Sequence, residues 1–210
     1  MNLKKITGLS HATEQAFSRL ADQALNSGIQ LKIASGFRSI ERQLAIWNRK
    51  SHPDYVFNVD GQEVATRDLS RKQWLKAVMQ WSAVPGLSRH HWGTDIDVFD
   101  ANALPKDYSL QLTPTEYSEN GIFSSLHQFL NHHVDRNPQR EFFRPYRSVT
   151  NGVSPEAWHL SYYPEAQSLM RSFTLSRAYQ LVPFEHMYAG ELVKEHFDYI
   201  YQHYVINVDD

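Results

Sequence analysis

Two histidines and three carboxylates crowd into one short stretch, Ser88-Arg89-His90-His91-Trp92-Gly93-Thr94-Asp95-Ile96-Asp97-Val98-Phe99-Asp100, which reads as a loop running into a buried strand. The neutral imidazole of His90 and the hard oxygen of Asp97 are a donor pair that suits zinc. A zinc site needs at least one more ligand. His159, in Pro155-Glu156-Ala157-Trp158-His159-Leu160, is the best remaining candidate, and Glu156 three residues before it is a candidate base. The chain has no cysteine, which removes thiolate sites, disulfides and cysteine nucleophiles together and leaves histidines and carboxylates as the available ligands.

Strand geometry sharpens this reading. A period of two puts Asp95, Asp97 and Phe99 on one face and Ile96 and Val98 on the other. Two carboxylates on one face of so apolar a strand repel and are poorly solvated unless a cation sits beside them. That cation is either a metal or the guanidinium of Arg38 or Arg89, and spacing alone allows both. Gly93 permits the tight backbone that folds His90 back toward Asp97. His91 is a rival ligand that points elsewhere on an extended segment. His132 and His133, followed by Asp135, fall at a helix end, where histidines meet the C-terminal dipole, so their role reads as structural. The segment Ser154-Pro155-Glu156 allows two readings. As a helix start, it makes Glu156 and His159 a surface pair. As a strand, it needs a bend near Pro155 to bring Glu156 over a metal.

The elements that must position these groups are legible from periodicity. A helix is expected from about Thr13, with Ala16, Phe17, Leu20, Ala21, Ala24 and Leu25 at helical spacing and Gly28 as its stop. Ile29 to Ala34 alternates as a strand, and Ser35-Gly36-Phe37-Arg38-Ser39 turns into a second helix with Ile40, Leu44 and Trp47 on one face. Asp60-Gly61 between two apolar runs predicts a hairpin. Ser70 with Gln73 forms a capping box, followed by a buried stripe of Trp74, Ala77, Val78 and Trp81, and Pro85-Gly86 ends that segment. Residues 101–115 read as a loop over the site, and Ile122 to Leu130 as a helix closed by Asn137-Pro138. Asn151-Gly152 predicts a second hairpin that returns the chain toward His159. From Pro164 onward the pattern is mostly helical, with Leu192, Val193, His196, Phe197 and Ile200 as an apolar seam. The expected architecture is α+β, a small antiparallel sheet carrying the site with helices packed on one side. The expected division is a domain over residues 1–163 and a helical C-terminal extension, 164–210, packed on it.

Composition sets the outer bounds. At 210 residues with 41% apolar and 13% aromatic content, the chain can bury a real core. A formal charge of −2 gives no electrostatic footprint for nucleic acid or an acidic membrane. No run of 18 apolar residues exists, so no transmembrane segment is expected. The N-terminal stretch has two lysines without an apolar region behind them, which reads as no signal peptide. As written, that places the chain in the cytoplasm, or in the periplasm or cell wall if it is a processed form.

Three motifs fall in order: Ser35-Gly36-Phe37-Arg38-Ser39 with Gln43; Ser88-x-His90 with Gly93 and Asp97; and Glu156-x-Trp158-His159. This trio resembles the VanY-type D-alanyl-D-alanine carboxypeptidases, zinc peptidases grouped with the lysostaphin-type and D-Ala-D-Ala metallopeptidases. The resemblance implies that His90, Asp97 and His159 hold one zinc ion and that Glu156 is the catalytic base. It also implies that Arg38 faces the scissile carbonyl, with Gln43 and Ser88 lining the site. Asp95 departs from the family's usual small residue, and the added carboxylate is expected either to alter the substrate pocket by favouring an amine or to guide a metal ligand. Trp158 is expected either to wall that pocket or simply to pack, and Phe37 to lie in the core.

The expected function is therefore a zinc carboxypeptidase that trims D-alanine from peptidoglycan-derived peptides. The alternatives are a cross-link endopeptidase, an L,D-carboxypeptidase, or a zinc-stabilised binding domain without catalysis.

Overall fold

The structure is a computed structural model, and it describes residues 8–59, 61–148 and 152–209. The first helix, α1 (His11–Leu25), starts where the Ser10 side chain accepts the Thr13 N–H at 3.1 Å. Its buried stripe, Ala16, Leu20 and Ala24, recurs every four residues, and Gly28 ends the segment in the left-handed conformation (φ +78°). Strand β1 (Leu31–Ser35) follows, then α2 (Ile40–Arg49), capped by Ser39 and burying Gln43 and Trp47. Strands β2 (Val56–Val59) and β3 (Gln62–Ala65) form the expected hairpin, with Gly61 at φ +84°, while Asp60 lies outside the described residues. Helix α3 (Arg71–Met79) has the complete Ser70–Gln73 capping box.

The main sheet comes from distant parts of the chain. Strands β4 (Asp95–Asp100), β5 (Phe142–Phe143) and β6 (His159–Tyr162) join β1 in the order β1-β4-β6-β5, every pair antiparallel. One face of the sheet is apolar. Ile96, Val98 and Leu160 pack with Leu20 and Ala24 of α1 and with Leu126 and Leu130 of α4 (Ser124–Leu130). Each large side chain taken from water in this way contributes about 1.5–3 kcal/mol. The opposite face carries Asp95, Asp97, His159 and Ser161, all buried.

A second core fills the other half of the molecule. Trp47, Phe57, Trp74 and Val78 pack with Phe173, Ala178, Val193, Phe197 and Ile200. The latter group comes from α5 (Tyr163–Ser172), α6 (Leu175–Leu181), α7 (Gly190–Glu195), α8 (Phe197–Ile200) and the turns between them. Trp47 and Trp74 meet edge to face with ring centres 5.3 Å apart. The expected seam is present in Val193, Phe197 and Ile200.

Two expectations need correction, and a third falls partly outside the described residues. Phe37 is 46% exposed rather than in the core, because Gly36 and Arg38 are tied down by backbone contacts and leave its ring outside. Residues 154–158 form neither a helix nor a strand. Instead the His159 N–H bonds to the Glu156 carbonyl at 3.3 Å, a turn that feeds β6. Of the hairpin expected at Asn151-Gly152, residues 149–151 lie outside the described residues, and the described flanks carry no strand.

Candidate metal centre

The register of the sheet assembles the site. Asp97 stands directly opposite His159 across the β4–β6 ladder, and cross-strand partners project from the same face. Asp95, two residues earlier, projects from that face as well. His90 arrives from the short 3-10 turn Arg89–Trp92, which Gly93 closes in the left-handed conformation (φ +72°). Its Nε2 lies 3.2 Å from Asp97 Oδ2, and His159 Nδ1 lies 3.3 Å from Asp97 Oδ1. The donor atoms of His90, Asp97 and His159 all fall within 4.8 Å of one another.

Both imidazoles are aimed from behind. His90 Nδ1 bonds to the Gly36 carbonyl at 2.8 Å, and His159 Nε2 donates to Asp95 Oδ1 at 2.9 Å. Each ring is left with one nitrogen facing Asp97. This is the outer-shell pattern of metal-binding histidines. Asp97 Oδ1 is buried with no hydrogen-bond partner, because the nearby His159 nitrogen is not aligned for one. An orphaned buried carboxylate oxygen beside two free imidazole nitrogens fits a divalent cation.

Both cations named from sequence are used, in different ways. Arg89 is buried, donates to Asp95 at 2.9 Å and to Ser161 at 2.6 Å, and lies against the rings of Trp92 and Phe143. Burial raises the Asp95 carboxyl, but Arg89, His159 and Thr94 overcome it and hold the group well below the ordinary carboxylate range. Burial likewise opposes ionisation of Asp97, and His90 and His159 outweigh it. Arg38 reaches the site itself, with Nη2 3.8 Å from Asp97 Oδ2. His159 is enclosed by carboxylates. Although burial disfavours its charged form, the surrounding carboxylates of Asp95, Asp97 and Glu156 raise its pKa well above the ordinary 6.5.

Glu156 completes the cluster, its Oε2 3.3 Å from His159 Nδ1. Its backbone N–H bonds to the Tyr146 carbonyl at 2.9 Å, and the Tyr146 ring packs on His159 with centres 5.1 Å apart. The loop that bears Tyr146 is clasped by the C-terminal tail. The N–H groups of Arg147 and Ser148 donate to Asp209 Oδ2 at 2.7 and 2.9 Å, and the Asp209 N–H donates to the Pro145 carbonyl at 3.0 Å.

The other predicted residues divide. Ser88 and Trp158 line a cleft of about 860 Å³ that also contains Arg38, His90, Asp97, Glu156 and His159. Residues 111–115 of the expected loop form one of its walls. Gln43 does not line the cleft. It is buried behind Arg38, accepts from Nη1 at 2.8 Å and donates to the Ala83 carbonyl at 2.7 Å. Of the two roles expected for Asp95, the substrate-pocket one is corrected: the residue is fully buried beneath His159 with both oxygens engaged, and it orients that ring. His91 faces away from Asp97. Its Nε2 accepts from the Gly86 N–H at 3.1 Å and its Nδ1 donates to the Arg38 carbonyl at 2.5 Å, which fixes the backbone under Arg38. Tyr146 carried no sequence signal, because its role depends on a register set far away in the chain.

Comparison with known proteins identifies the family and the fold. The family model for VanY, D-alanyl-D-alanine carboxypeptidase, matches residues 7–165. This chain belongs to that family. An uncharacterized protein of Haemophilus influenzae is 33% identical over 125 residues, covering 59% of this chain and 93% of that protein. Among solved structures, a mutant of the vancomycin-resistance D,D-pentapeptidase VanY from a VanB-type cassette, in complex with Zn(II), superposes with a TM-score of 0.55. It is 22% identical, and the match covers 80% of this chain and 82% of that one. VanYB in complex with D-alanine-D-alanine gives 0.53 at 21% identity, over 78% and 77% of the two chains. Among the described residues, no helix is long and apolar enough to cross a membrane.

Proposed function

We propose that this protein is a zinc-dependent carboxypeptidase that removes D-alanine from peptidoglycan stem peptides. The observation that carries the reading is the meeting of His90, Asp97 and His159 beside Glu156 and Arg38 in one cleft. Family membership supports the substrate class, as does D-alanine-D-alanine bound to a protein of the same fold. The orphaned Asp97 oxygen and the two rear-anchored imidazoles support one metal ion. Two nitrogens and a carboxylate suit zinc. We also assign the peptidase unit to residues 1–163, with 164–210 as a helical extension that shares the Trp47–Trp74 core.

His90, Asp97 and His159 would hold one zinc ion, which when bound would supply Lewis acidity to water and to a peptide carbonyl. Glu156 takes the proton of the attacking water and delivers it to the departing amine. Arg38, held by Gln43 and Ser35, stabilises the oxygen that gains charge. Ser88 and Trp158 line the peptide's path. Endopeptidase and L,D-carboxypeptidase activities use the same chemistry and differ only in which peptide is cut.

The test is Glu156→Ala, assayed by elemental analysis and by mass spectrometry of a muropeptide digest. Zinc should remain bound while hydrolysis falls by about a hundredfold or more. Retained turnover would overturn the reading, and an undiminished metal content with no cleavage by the unaltered protein would leave a zinc-stabilised binding domain.

A further inference from the structure

The cleft holds a cation that the chemistry above does not use. Lys50, the C-terminal cap of α2, lines the same cleft as Glu156 and Arg38. Its Nζ donates to Ser82 Oγ at 2.6 Å and lies 5.8 Å from the Tyr55 ring centre. Among the described residues no carboxylate pairs with it, and Arg49 beside it adds a second positive charge to the wall. Burial, reinforced by Arg49 and Arg38, lowers its pKa from 10.5 to about 8, and the through-space pull of Glu156 does not restore it. Lys50 is half-buried, and an ammonium in that position without a counter-charge is stabilised by an anion that enters the cleft.

Arg38 is held at the metal end, where Nη1 donates to Gln43, Nη2 donates to Ser35 and Asp97 lies 3.8 Å away, so its remaining donors face the reacting oxygen. Ser82 accepts from Lys50 and so keeps its own O–H for another acceptor. We propose that Lys50 and Ser82 form a carboxylate-binding subsite that grips an acid group of the peptide substrate. A peptide offers two sources of that group, the terminal α-carboxylate and an acidic side chain. The proposal rests on the peptidase reading for its substrate, but a binding measurement tests it separately.

The experiment is calorimetric titration of the zinc-loaded Glu156→Ala protein with N-acetyl-D-alanyl-D-alanine and with its C-terminal amide. A second pair of peptides, both amidated at the C-terminus, carries either a side-chain acid or its amide. The acid of one pair should bind at least tenfold more tightly than its amide, and the pair that discriminates identifies the source. Adding Lys50→Met should reduce that ratio at least tenfold, Ser82→Ala should reduce it by a smaller factor, and Lys50→Arg should largely keep it. An acid-to-amide ratio that survives both Lys50→Met and Ser82→Ala overturns the subsite, even if the unaltered enzyme cleaves peptides. Conversely, a ratio that depends on Lys50 while the unaltered, zinc-loaded protein cleaves nothing sinks the peptidase reading and leaves the subsite standing.

Discussion

The Nε2 hydrogen of His159 is given to the Asp95 carboxylate at 2.9 Å, and this single bond turns Nδ1 of the same ring toward Asp97. Asp95 also receives Arg89, so it secures both a ligand and a buried cation. Asp95→Asn should therefore lower metal affinity about ten- to a hundredfold. Competition with a chromophoric chelator measures this. Asp95→Ala should additionally cost about 3–5 kcal/mol, because Arg89 is left buried without its partner. Chemical denaturation reads that loss.

Metal uptake should release protons. In the metal-free protein, burial works against the charged form of His159, but Asp95, Asp97 and Glu156 keep it protonated well above pH 6.5. Coordination requires the neutral ring, so zinc affinity should rise with pH through that range. A raised histidine stabilises the metal-free fold fully below about pH 6.5 and loses this contribution as pH climbs through the folded value. Titrations in buffers of differing ionisation enthalpy count the protons, and thermal melts with and without zinc follow the stability.

The subsite carries its own pH signature. Lys50 faces Ser82 and Tyr55, with Arg49 adjacent and Arg38 and Glu156 sharing the cleft. Burial first, and Arg49 next, bring its ammonium to about 8, so affinity for a carboxylate peptide should fall as pH rises through that value. A bound carboxylate moves the midpoint upward. Lys50→Arg should abolish this dependence, because a guanidinium does not titrate there.

Gly86 should tolerate no side chain. It sits at φ +91°, and a Cβ there would meet the Leu181 carbonyl oxygen at 2.4 Å. Its N–H also holds His91, which holds Arg38. Gly86→Ala should cost about 1–3 kcal/mol through its backbone conformation alone, with the collision in addition, and lower the melting temperature.

Local chemistry made most elements legible. Ser10, Ser39 and Ser70 announce helix starts, and Asp60-Gly61 announces a hairpin whose ladder lies where its flanks predicted. The alternation along Asp95–Phe99 foretold that Asp95 and Asp97 share a face, and both touch His159. What alternation could not say is which carboxylate lies beneath the ring and which beside it. That depends on the pairing of Asp97 with His159, a relation between strands 62 positions apart in the chain. Gln43 and His91 were equally ambiguous. Both belong to the site's frame, and only the contacts between residues 36–38 and 90–91 show that each points away from the cleft. The geometry at Glu156 was undecided between helix and strand because a turn satisfies neither period.

The clasp of Asp209 on residues 145–148 has a temporal consequence. A growing polypeptide possesses every side chain that meets at Asp97 once translation passes His159, yet Asp209, the support beneath Tyr146, has still to be translated. Maturation of the wall beside Glu156 thus waits until Asp209 has been made, and a polypeptide cut between His159 and Asp209 keeps the ligands while losing the brace.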